Sequence, residues 1–173
     1  MKLGCCSWSF SSPNYEPPYD KAIEVIGGMG FKGVELILFE EKDLVEYYTP
    51  SKIKELRNSY RSYGIELSEF AVFTKVLERL SSMDPLEREQ AFDVFKKATL
   101  VAKELGSQAM NLVSNWPYGM KAPNNYPPAY IYPFGNGVNR FSPKLYMEIP
   151  DIDYAKLWDT YMETMKECLR FVV

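Results

Sequence analysis

The 173-residue sequence has no histidine, so any acid–base or ligand chemistry falls to its carboxylates, its cysteines and its side-chain amides. Glu35 stands inside the apolar run Gly-Val-Glu-Leu, where an unpaired charge is costly to bury. It reads either as a pocket-facing group or as a salt-bridged structural carboxylate. Glu66 and Glu69 lie in a second such run. The face they occupy depends on strand register, and a solvated face is the default. Asn111, in Met-Asn-Leu, can point inward toward a ligand hydroxyl; burial with neighbouring backbone as its partner is the default. Trp8, Phe10 and Trp116 offer flat apolar faces. Trp8 and Phe10 read equally as pocket wall or core, whereas Trp116, in Ser-Asn-Trp-Pro at the opening of an irregular stretch, reads as pocket lining. The methionines are most simply core and gap fillers.

The cysteines do not form a framework. Cys5 and Cys6 are adjacent, so their side chains point to opposite faces of a strand, and Cys168 is remote from both. This favours a reducing compartment, and with no apolar run suited to a leader or a membrane span the expectation is a cytoplasmic protein without a membrane partner. A formal net charge of -3 with no concentrated Lys/Arg run lacks the footprint of a phosphate-tracking surface, so nucleic acid is not an expected partner.

These residues need elements to position them, and the chain alternates short β-like runs with longer helical patterns that close on glycine. Strands are expected at Leu3 to Ser7, Gly33 to Leu38, Ile65 to Ala71 and Gln108 to Val113. Ala22, Ile23, Val25, Ile26 and Met29 form a helical stripe ending at Gly30. Thr49-Pro50 and Asp84-Pro85 are N-cap-plus-proline starts. Ile53, Leu56 and Tyr60 form the stripe of one helix, ended by Gly64, and Phe92, Phe95, Thr99, Ala102 and Leu105 that of the next, ended by Gly106. From Ser114 to about Asp151 the sequence is crowded with Pro, Tyr, Asn and Gly. A stretch of that length reads as a substrate lid, a subunit contact surface or an irregular covering. A last helix, Asp153 to Phe171, carries Leu157, Trp158, Tyr161, Met165, Cys168 and Leu169 on one face. The whole reads as one domain over residues 1–173 with a parallel α/β sheet. No Gly-x-Gly-x-x-Gly turn follows the first strand, which leaves a doubly wound nucleotide-binding domain without support.

The segments Met29-Gly-Phe-Lys-Gly-Val-Glu-Leu36, Tyr63-Gly-Ile-Glu-Leu-Ser68 and Glu104-Leu-Gly-Ser-Gln-Ala-Met-Asn-Leu112, following the first-strand run Gly-Cys-Cys-Ser-Trp-Ser-Phe, resemble the xylose-isomerase-like barrels. That superfamily includes ketose 3-epimerases, related sugar isomerases and the endonuclease IV enzymes. The resemblance implies a (β/α)8 barrel of TIM type, of which the first four β/α units are present, since a closed barrel takes roughly 250 residues. It also implies a small sugar or sugar phosphate as substrate, and a divalent ion, Mn²⁺ or Mg²⁺, in a complete member. In the sugar-isomerase branch the metal ligands come from the fifth strand onward. The endonuclease branch takes histidines from the third and fourth strand ends, which here read Glu69-Phe-Ala-Val72 and Val113-Ser-Asn-Trp116.

Barrel active sites form at the C-terminal strand ends, so Trp8, Glu35, Asn111 and Trp116 become the expected substrate-binding set. Two functions remain open. The chain is a segment of a metal-assisted isomerase or epimerase whose polypeptide continues past Val173, or it is a non-catalytic half-barrel that binds carbohydrate or a partner subunit. A homo-oligomer or completion by a second half-barrel is expected, since an open four-stranded sheet, as in the half-barrel reading, leaves two unpaired edges.

Overall fold

A computed structural model describes residues 2–11, 16–113, 151 and 153–172. Four parallel strands, β1 (Gly4–Cys6), β2 (Gly33–Leu38), β3 (Glu66–Val72) and β4 (Met110–Leu112), form one sheet in the order β1-β2-β3-β4. The helices are α1 (Asp20–Gly28), the single turn α2 (Asp43–Glu46), α3 (Pro50–Ser62), the single turn α4 (Thr74–Leu77), α5 (Pro85–Leu105) and α6 (Tyr154–Val172). Each strand is thus followed by one long helix, and α1, α3, α5 and α6 pack on their neighbours in chain order. Consecutive strand order with helical crossovers is the arrangement of a (β/α) barrel, four units long.

The helix boundaries follow their local chemistry. Thr49 Oγ1 accepts from Lys52 N at 3.3 Å and Asp84 Oδ1 from Leu86 N at 2.9 Å, each with proline at the first helical position. Gly30, Gly64 and Gly106 adopt φ of +83°, +66° and +81°, the left-handed conformation that ends a helix and turns the chain toward the next strand. α1, α3 and α5 direct Ile23, Ile26, Ile53, Leu56, Ala98 and Leu105 against the sheet, where Val34, Leu36, Leu67 and Phe70 are almost wholly buried. Tyr48, after α2, anchors the middle of the sheet by donating to the Ile37 carbonyl at 2.5 Å, and Tyr60 donates to the Leu105 carbonyl, linking α3 to the end of α5.

Three helical faces differ from the sequence expectation. In α1, Met29 is exposed past the last buried turn. In α5, the buried stripe is Ala91, Val94, Phe95, Ala98, Ala102 and Leu105; Phe92 and Thr99 lie at its margin, and Phe92 instead meets Phe171 of α6 with ring centroids 6.3 Å apart. In α6, Leu157, Thr164 and Cys168 are buried with Tyr161 and Met165 beside them, while Trp158 and Leu169 are exposed. A helix buries only the stripe that meets its neighbours, which is narrower than the full set of its apolar positions.

Candidate functional site

The sheet has two faces. Val34 and Leu36 of β2 point to the helices, so Glu35 between them points to the opposite face, the interior of a barrel. Cys6 of β1 is its register partner on one side and Glu69 of β3 on the other. Sγ of Cys6 donates to Oε1 of Glu35 at 2.6 Å, and Nδ2 of Asn111, on β4, donates to Oε1 of Glu69 at 3.2 Å. One polar side chain from each strand therefore joins a layer that crosses the sheet, Cys6–Glu35–Glu69–Asn111.

Glu69 reaches this layer through a β-bulge. Val34 pairs with Leu67 but Glu35 pairs with Glu69, so Ser68 is an extra residue on β3. Without it Leu67 and Phe70, three apart, would lie on opposite faces. With it both pair with helix-facing residues of β2 and both are buried. The bulge is held by Ser68 Oγ donating to the Val34 carbonyl at 3.0 Å, and Gly4 and Gly33 leave room beside it, since a Cβ on Gly33 would lie 3.2 Å from Ser68 Cβ. Glu69 is consequently half-buried against Glu35 rather than on a solvated face. Glu66 keeps the solvated role, paired with Lys2 at 3.1 Å.

Burial and the neighbouring Glu69 carboxyl push the pKa of Glu35 up to about 7, partly offset by the Cys6 thiol, which favours the carboxylate as a donor. Cys6 is shifted upward too, first by burial and then by its bond to Glu35, so it stays a thiol. No lysine or arginine is among the groups that set either shift. Such a layer can present hydrogen-bond donors and acceptors to a hydroxyl-bearing ligand and can hold a proton near neutrality. The fit to a divalent cation is poor. Among the described residues no group of three His, Cys, Asp or Glu side chains is arranged to hold a metal ion.

The ends of the strands carry an aromatic rim. Trp8 follows β1, Phe39 follows β2 and Phe73 follows β3; the Trp8 and Phe39 rings lie 6.4 and 5.2 Å from that of Phe73. Trp8 is half-buried, and Phe10 packs beside it on the core.

The structure thus brings Glu35 and Asn111 into one layer and sets Trp8 on the rim above it. Two placements correct the sequence reading. Glu35 is in the middle of β2, which extends to Leu38, not at its end. Asn111 is exposed and bonded to a side chain, not buried on backbone, because β4 is a sheet edge among the described residues. Trp116 and the loop it opens lie outside the described residues. Sequence reasoning missed Cys6, Phe39 and Phe73 as contributors. A signal was present in the recurrence of an aromatic residue just after each of the first three strands.

Three solved structures resemble this chain. A D-psicose 3-epimerase with D-tagatose from Clostridium cellulolyticum H10 superposes with a TM-score of 0.69 at 20% identity, over 99% of this chain and 48% of that one. A D-psicose 3-epimerase in the presence of D-fructose gives 0.68 at 17% identity, again over 99% and 48%. A D-tagatose 3-epimerase-like protein gives 0.58 at 19% identity with the same coverage. The chain spans about half the length of each. No curated protein matches it significantly. These likenesses establish the fold. The family described as xylose isomerase-like TIM barrel matches residues 23–172, most of the sequence, and the chain belongs to that family.

Proposed function

We propose that this chain is the first half of a metal-assisted sugar isomerase or epimerase acting on a small sugar or sugar phosphate in the cytoplasm, with a polypeptide that continues past Val173. The observation that carries this reading is the polar layer beneath an aromatic rim. Barrel interiors are filled mostly by branched apolar side chains, whereas this inner face presents one polar group from each strand in a single layer. A hydroxyl-rich ligand above them offers partners, and the rim offers flat faces for its C–H groups. In this reading Trp8 and Trp116 line the pocket, while Glu35 and Asn111 contribute hydrogen-bonding groups at its floor.

Moving a proton beside a carbonyl requires an electrophile to hold the enediolate charge and a base to take and return the proton. The layer does not fit a divalent ion, so the Mn²⁺ or Mg²⁺ of a complete member belongs to residues beyond those described. The part of the work left to this chain is to bind and orient the sugar and to exclude water. The test is to express the complete reading frame and incubate it with ketohexoses and Mn²⁺ or Mg²⁺. Conversion to the epimer or isomer, lost on chelation, is the expected result; a folded, metal-supplied protein that converts no ketose or sugar phosphate overturns the reading.

A non-catalytic half-barrel is the second reading, favoured by one feature. A largely apolar groove of about 200 Å³ lies at the β4 edge, lined by residues that include Met110, Leu112, Met165 and Cys168. A second half-barrel from another copy would cover it, giving a dimer that binds carbohydrate without turnover.

A further inference from the structure

We propose that Glu35 keeps a proton on the face it shares with Glu69 and acts through it as a pH-sensitive tie between β2 and β3, closed while the proton is present and open once it is lost. The geometry sets up this behaviour in three ways. The two residues are register partners on adjacent parallel strands, whose backbones are about 4.8 Å apart, and both side chains leave the same face. Each carboxyl is steered by a donor on its far side. Cys6 holds one oxygen of Glu35 from β1, and Asn111 holds one oxygen of Glu69 from β4. The Glu35 and Glu69 side chains interact with each other between these two donors, and a proton on Glu35 makes that contact a hydrogen bond.

The titratable groups that face the pair from the packed strands are Cys6 on β1 and the two glutamates themselves; Asn111 on β4 does not titrate. Among the described residues no cation is placed to offset a second negative charge. The upward shift of Glu35 agrees with a proton held there, with burial as its larger cause and Glu69 as the next. Above neutrality Glu35 gives the proton to solvent, its hydrogen bond to Glu69 is lost, and the contact between β2 and β3 weakens on its inner side only. The helix-facing side, with Leu36 against Phe70, is apolar and does not respond.

The experiment is a ¹³C NMR titration of the glutamate side-chain carboxyls in the protein expressed from its complete reading frame, without sugar. A carboxyl titrating near pH 7 is expected, absent in Glu35→Gln. Glu69→Gln should lower its midpoint by about 1 on the pH scale, and Cys6→Ala, which removes a donor to the carboxylate, should raise it. A Glu35 carboxyl that titrates in the ordinary range below about 5.5, or one whose midpoint ignores Glu69→Gln, overturns the proposal. Sugar turnover is not read, so failure of the tie and failure of the proposed activity are separate results.

Discussion

Cys6 of β1 and Glu35 of β2 share a short hydrogen bond, Sγ to Oε1 at 2.6 Å, on the inner face of the sheet. A thiol that donates to a carboxylate in a half-buried site resists ionisation, and the thiolate is the reactive form. Cys6 should therefore alkylate more slowly with iodoacetamide at pH 8 than in the unfolded chain, by about tenfold or more. Glu35→Gln should speed it up, with peptide mass spectrometry following Cys6 by itself. Equal rates in folded and unfolded protein would count against the bond.

The same pair makes stability depend on pH in a defined direction. Glu35 binds its proton up to about 7 in the fold against an ordinary 4.5, so the folded state holds more protons than the unfolded one between those values. The contribution is complete below 4.5 and is lost as pH rises through about 7. Asp43, raised chiefly by burial, acts in the same sense, whereas the exposed Asp93 and Glu163, lowered by their lysine partners, act in the opposite one. Melting temperature measured in steps from pH 5 to pH 8 should fall more for the wild type than for Glu35→Gln, and the difference between the two curves isolates this group.

Two glycines separate steric from conformational cost. A Cβ on Gly27 would lie 2.6 Å from both Cβ and Cγ of Tyr63, where α1 approaches the end of α3, and Tyr63 Cβ cannot swing away. Gly27→Ala should cost about 1 to 3 kcal/mol. A Cβ on Gly106 meets nothing within 4 Å, but φ is +81°. Gly106→Ala should cost about 1 to 2 kcal/mol through backbone strain alone. Denaturant melts check both, and Tyr63→Gly in the Gly27→Ala background should recover part of the first loss but none of the second.

Most of the architecture was legible in the residues. Thr49-Pro50, Asp84-Pro85 and the three left-handed glycines mark helix ends through local backbone chemistry, which needs no tertiary context. The site was less legible because it depends on register. Glu66 and Glu69 look equivalent along the chain, and a single extra residue at Ser68 sends one to solvent and the other against Glu35. Cys6 carries no local sign of its role either; its partner lies 29 residues away, brought near by strand pairing. Trp158 and Leu169 show the opposite limit, since apolar type alone does not say which side of a helix meets a neighbour.

In the proposed function the intact protein moves a proton on a carbon beside a sugar carbonyl. The most direct measurement is proton NMR of D-fructose and D-psicose in D₂O with the protein from its complete reading frame and Mn²⁺ or Mg²⁺. Metal-dependent deuterium incorporation at the carbon next to the carbonyl is expected, weakened when Trp8→Ala takes one ring from the rim. Sugar that binds yet shows no exchange under any metal would contradict it and leave the carbohydrate-binding half-barrel.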